Sequence, residues 1–190
     1  MKIIKTESLY KTKFIELIKT QYENTKGTLC DWFYVTRPNT KDIVMIAPII
    51  NHNGEDKLVM IKEYRVPIED YEYGFPAGLV DEGETIEEAI HRELKEETGL
   101  DVLDIREITR PLYNSAGLTD ESICISFVYA GGEITTKHNE DSEEIEVLLL
   151  NKSQVEDIMD DMNLKIGAKA WLIMEMFLMT KNHQLEGEVI

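Results

Sequence analysis

The chain has 190 residues, a hydrophobic fraction of 43% and a formal net charge of −17. Those figures suit one globular domain with a sizeable core and a small appended element, and they exclude a general nucleic-acid binder, which needs a basic footprint. A small anionic substrate stays open, because a bound cation and a few local arginines can reverse the field inside a cleft.

The N-terminal stretch MKIIKTESLYKTK has no long apolar run and no small-residue cleavage pattern. Residues 13–22 (KFIELIKTQY) fit a helix or a strand by period, and the next segments of the chain decide for a strand. Asn24 to Gly27 is a turn cluster, and Leu29 to Arg37 (LCDWFYVTR) is rich in aromatic and β-branched residues. The pair predicts a hairpin over about the first 38 residues. A lone hairpin is marginal in water, so it must pack on the rest of the chain or on a second copy. Ile43 to Ile50 and Leu58 to Tyr64 predict two buried strands around the turn Asn51 to Gly54. A stretch punctuated by Pro and Gly, 66–83, leads into a helix that ends near Gly99. Val102 to Arg110 and Ser122 to Ala130 predict strands, joined by the turn-rich loop Pro111 to Glu121.

The run KHNEDSEE at 137–144 reads, on composition alone, as a solvated loop. Ile145 to Leu150 predicts a strand, Ser153 to Met162 a helix capped by Ser153 and Glu156, and Ala168 to Met179 a nearly all-apolar helix with Met as core filler. That last helix is too short to span a bilayer and carries Lys169 and Glu175. The final ten residues read as a loose tail. Cys30 and Cys124 lack metal-site spacing and read as free thiols, so a cytoplasmic protein with no membrane partner is expected. The element order implies an α/β fold with a mixed sheet packed between helices, divided into an N-terminal hairpin element (1–40) and a main domain (41–190).

The helix after Gly83 carries the chemistry. Thr85 and Glu88 form a capping box and Gly99 supplies the stop. Around a helix of 3.6 residues per turn, Ile86, Ala89, Ile90 and Leu94 form one apolar stripe. Glu93 and Glu97 fall inside that stripe, one turn apart, where unpaired charge is expensive to bury. Together with Glu96 they can offset that cost by sharing a hard divalent cation.

The same stretch, GLVDEGETIEEAIHRELKEETGL, fills every specified position of the Nudix box, G-x5-E-x7-R-E-U-x-E-E-x-G-U, through Gly78, Glu84, Arg92, Glu93, Leu94, Glu96, Glu97, Gly99 and Leu100. The chain therefore resembles a Nudix hydrolase. The resemblance implies an α/β/α sandwich that hydrolyses a nucleoside diphosphate linked to a second group, using Mg²⁺, with Mn²⁺ as the alternative ion. It implies metal ligation by Glu93, Glu96, Glu97 and the Ala77 carbonyl. Arg92 would orient the glutamates, Glu84 would hold the loop against the helix, and Gly78 would let the backbone approach the metal.

Flanking segments narrow the resemblance to the ADP-ribose and ADP-sugar pyrophosphatases. These are Pro76-Ala77-Gly78, Glu63-Tyr64-Arg65, the strand Trp32 to Arg37, the loop Ser115 to Glu121 and Gly167-Ala168-Lys169. By that match Arg65 contacts a substrate phosphate, Trp32 stacks on the base, Arg37 reaches the substrate, and the N-terminal hairpin is exchanged within a homodimer. The acidic loop supplies the base, Glu143 in preference to Asp141. Three positions depart from the pattern: Gly74 and Gly167 stand where acidic residues are common, and Ala116 where proline is common. The implied reaction converts ADP-ribose to AMP and ribose 5-phosphate. The alternatives are another NDP-sugar or a (d)NTP as substrate, or a non-catalytic ligand-sensing module.

Overall fold

The computed structural model describes residues 1–38, 40, 42–137 and 144–180. Three antiparallel strands open the chain and form a sheet of their own: β1 (Lys2–Lys11), β2 (Glu16–Glu23) and β3 (Leu29–Thr36). The expected hairpin is β2–β3, and β1 adds a third strand on the outer edge of β2, from Lys2 opposite Glu23 to Lys11 opposite Glu16. β1 is exposed along nearly its whole length. It has no buried face to leave a period-two apolar signal, which is why its sequence does not read as a strand.

The main sheet contains β4 (Asp42–His52), β5 (Glu55–Arg65), β6 (Asp70–Gly74), β7 (Ala77–Leu79), β8 (Asp101–Ile108), β9 (Leu112–Tyr113), β10 (Ser122–Gly131), β11 (Ile145–Leu150) and β12 (Lys165–Ile166). The helices are α1 (Ile86–Thr98), α2 (Lys152–Asp160) and α3 (Ala168–Met179), none of them long and apolar enough to cross a membrane. β4 runs parallel to β10, β6 runs parallel to β12, and the other pairings are antiparallel, so the sheet is mixed.

A parting of two strands creates the cleft. β4 and β5 pair only at their hairpin end, Ile49–His52 with Glu55–Leu58. Beyond that they separate. β6 takes the freed edge of β5 from Ile61 to Arg65, and β7 takes the freed edge of β4 from Ile43 to Met45. Phe75 and Pro76 step between the two, and the Ile46 N–H donates to the Pro76 carbonyl (2.8 Å).

Alternation along β4 builds a core on each side of the sheet. Val44 and Ile46 pack with Ala89, Ile90 and Leu94 of α1, while Ala47 packs with Val155 of α2 and with Ala170, Ile173, Met174 and Phe177 of α3. Each fully buried aliphatic side chain contributes roughly 1.5–3 kcal/mol, so α1 is held chiefly by this face. Its ends are set locally. The Thr85 hydroxyl accepts from the Glu88 N–H (3.2 Å), and the Glu88 carboxylate accepts from the Thr85 N–H (2.8 Å). Gly99 closes the helix at φ 77°, a left-handed conformation that glycine adopts without steric cost.

The cap of α2 is Asn151, in place of the expected Ser153. Asn151 Oδ1 accepts from the Gln154 N–H (2.9 Å), and Gln154 Oε1 accepts from the Asn151 N–H (3.0 Å). Two capping-box patterns overlap here, and the one directly after β11 is used. Accordingly, Thr85→Ala should lower the unfolding free energy by about 1 kcal/mol, whereas Ser153→Ala should change it by no more than about 0.5 kcal/mol. Urea denaturation of the two variants beside the parent checks both.

Candidate active site

α1 starts immediately after the loop 80–85 and places Arg92 beside that loop. The guanidinium has five N–H donors, and every one is used within the protein. Nε donates to Glu84 Oε1 and Nη2 to Glu84 Oε2, both at 2.8 Å. Nη2 also donates to the Leu79 carbonyl (2.9 Å). Nη1 is shared between Glu93 Oε1 (2.7 Å) and Glu96 Oε2 (3.1 Å). The two-point pairing with Arg92 holds the Glu84 carboxyl below the usual carboxylate range, and the Asp81 N–H adds to the effect. The same contacts push the Arg92 pKa upward.

Glu93 and Glu97 are buried, at 8% and 4% exposure, as their place inside the apolar stripe implies. Glu97 Oε2 accepts from the Ala77 N–H (3.3 Å). Gly78 leaves room for the Glu93 carboxylate: a Cβ there would stand 1.8 Å from Glu93 Oε1 and push that side chain aside. Carboxylate-rich oxygen donors of this kind fit a hard divalent cation. Among the described residues they are not already gathered into a closed three-ligand cage, because Glu93 and Glu96 are drawn onto Arg92.

Glu93, Glu96, Glu97, Ala77 and Gly78 line a cleft of about 700 Å³. Arg37, Arg65 and Lys169 line it too. Arg65 donates from Nη1 to Glu63 (2.7 Å) and from Nε to Glu72 (3.3 Å). Arg37 is paired with Glu121, and Lys169 donates to Asn114 Oδ1 (2.6 Å). The cleft thus gathers Arg37, Arg65, Ala77, Arg92, Glu93, Glu96 and Glu97 from the residues singled out by sequence. Trp32 is not among them. It is 47% exposed on β3 and donates from Nε1 to the Gly117 carbonyl (3.2 Å), where the Val35 N–H also meets the Leu118 carbonyl (2.8 Å). Asp141 and Glu143 lie outside the described residues. Their neighbour Glu144 accepts from the Tyr71 hydroxyl (2.5 Å).

Glu63, Glu72 and Asn114 line the cleft without having been singled out for their own chemistry. For Glu63 and Glu72 a signal exists only at the level of strand register, where they face each other directly across β5 and β6.

Comparison with known proteins bears on the family and the fold. A family model for the NUDIX domain matches residues 40–168. The ADP compounds hydrolase NudE of Escherichia coli is 48% identical over 69 residues, a match spanning 36% of this chain and 35% of that protein. The ADP-ribose pyrophosphatase of Saccharomyces cerevisiae is 28% identical over 97% of this chain and 87% of its own length. A crystal structure of an ADP compounds hydrolase superposes with a TM-score of 0.74 at 25% identity, covering 92% of this chain and 91% of that one.

The Glu84–Arg92 pair carries a pH signature. A carboxyl with a depressed pKa in the folded state contributes stability that is complete above its unfolded pKa and is lost as pH falls through the folded value. Glu84→Gln should therefore destabilise the protein at pH 7, and the gap to the parent should close as pH is lowered from 5 to 3. Urea unfolding at each pH measures this; a gap of constant size would deny the ionic contribution.

Proposed function

The chain belongs to the NUDIX family, and on that premise we propose that this hydrolase cuts the diphosphate bond of a nucleoside diphosphate linked to a second group, with ADP-ribose giving AMP and ribose 5-phosphate. One observation carries the reading: a single cleft combines the α1 carboxylates with Arg37, Arg65 and Lys169. The carboxylates suit a hard cation and the basic groups suit phosphate oxygens. Similarity to an ADP-ribose pyrophosphatase and to ADP compounds hydrolases supports adenosine diphosphate as the recognised half.

Glu93, Glu96, Glu97 and the Ala77 carbonyl would hold the divalent cation, Mg²⁺ or alternatively Mn²⁺. When bound, it would screen the diphosphate charge and make water easier to deprotonate. Arg92 fixes the directions of Glu93 and Glu96. Arg65 and Arg37 bind phosphate oxygens and stabilise charge on the transferring phosphorus. Glu143 is the proposed base. It takes a proton from water as the oxygen attacks one phosphorus and the bridging oxygen departs.

Residues 1–40 are the proposed dimerisation element. Ile3 (63%), Tyr10 (66%) and Phe33 (52%) stay exposed on the three-stranded sheet, and Phe14 (64%) on the turn between β1 and β2. Apolar surface of that extent marks an interaction face, and in a homodimer it offers Trp32 to the cleft of the other subunit.

A panel of ADP-ribose, other NDP-sugars and dNTPs with Mg²⁺ tests the reaction; ADP-ribose should be turned over fastest, and turnover of no member would favour a ligand sensor. Glu97→Gln should lower kcat by more than the roughly 100-fold typical of a lost supporting contact, with an unchanged urea midpoint. Gly78→Ala should fall by a similar order through displacement of Glu93. Light scattering should give a dimer for the full chain, and a monomer would remove the proposed role of Trp32.

A further inference from the structure

Strands β5 and β6 bring two carboxylates face to face in the lining of the cleft. Glu63 and Glu72 are direct cross-strand partners on β5 and β6, and both line the cleft. Like charges directly opposite each other are destabilising. Arg65, two residues along β5 from Glu63 and on the same face, bridges them with Nη1 on Glu63 and Nε on Glu72.

Its donors are used differently from those of Arg92. All five N–H groups of Arg92 are spent inside the protein, so that side chain has none to offer a ligand. In Arg65 the Nε donor and one Nη1 donor are engaged, and among the described residues the other three have no hydrogen-bond acceptor. A half-exposed arginine otherwise samples many rotamers, and fixing one of them costs entropy. Two carboxylates gripping the guanidinium at separate nitrogens remove most of that freedom before a ligand arrives, which is preorganisation.

Gly167 leaves the Glu72 carboxylate room on its other oxygen. A Cβ at that position would approach Glu72 Oε1 to 3.0 Å. The backbone itself does not call for glycine, since φ is −61°. The Gly167 N–H donates to the Tyr73 carbonyl (3.2 Å), which keeps the start of α3 against the residue after Glu72.

We propose that Glu72 is a positioning residue: by accepting from Nε it sets the plane of the Arg65 guanidinium so that the three remaining N–H groups meet a substrate phosphate. This role rests on the diphosphatase reading.

The test measures the calorimetric Kd for ADP in the presence of Mg²⁺, together with KM and kcat for ADP-ribose with the same ion. Glu72→Ala should raise Kd and KM about tenfold with kcat within about threefold of the parent and the urea midpoint unchanged. Glu72→Gln, which keeps an acceptor oxygen, should restore KM to within about threefold. In an Arg65→Ala background, Glu72→Ala should add nothing further, because the two act as one unit. Equal Kd values for the parent and Glu72→Ala, or a full additional loss in the Arg65→Ala background, would overturn the role of Glu72. Absence of ADP-ribose turnover by the parent would overturn the diphosphatase reading instead, and the Kd comparison would still decide the role of Glu72.

Discussion

The site depends on the complete use of one guanidinium. Arg92 joins the loop before α1, through Glu84 and the Leu79 carbonyl, to two α1 carboxylates. Without it, Glu93 and Glu96 would repel each other on a partly buried surface, and the loop would be tied to the helix only through its cap and the apolar packing of Val80. Pairing that is planar, bidentate and charged is what arginine supplies and lysine does not. Because no N–H remains for a ligand, the contribution of Arg92 is geometric: it decides where negative charge can gather in the cleft.

That scaffold works only because the sheet opens beside it. β4 and β5 hold together at their hairpin and then separate, so each finds a new partner, and the strand that joins β4 brings Ala77 and Gly78 to the α1 carboxylates. At Gly78 the Glu93 carboxylate occupies the volume a Cβ would take, so a larger residue there would displace it. Gly74, which also lines the cleft, is different: a Cβ there would meet nothing within 4 Å. One glycine admits a protein side chain and the other keeps space open, a distinction invisible in the residue type.

What could be read from the sequence was local. Thr85, Glu88 and Gly99 define α1 through contacts within four residues, and Glu93 and Glu97 betray themselves by lying on an apolar face. Nonlocal features escaped. β1 is exposed along both faces and leaves no pattern, and β7 and β12 have only three and two residues. The choice between Asn151 and Ser153 as cap depended on where β11 ends. Glu72 acquires meaning only from the register that sets it opposite Glu63, and Trp32 from a partner 85 residues away.

Charge explains why binding of substrate and metal should be coupled in this cleft. Its lining carries four basic side chains, Arg37, Arg65, Arg92 and Lys169, against six carboxylates, Glu63, Glu72, Asp81, Glu93, Glu96 and Glu97, a formal net of −2. Arg92 is consumed internally, and Arg37 and Arg65 already face carboxylate partners. A diphosphate entering that lining alone meets net repulsion within a chain that is itself strongly acidic. One divalent cation would bring the lining to neutrality and, on the proposed function, would leave Arg65, Arg37 and Lys169 to supply direction. On this account the acidic composition, which argues against nucleic acid, also makes the cleft attractive to a diphosphate only when a metal accompanies it.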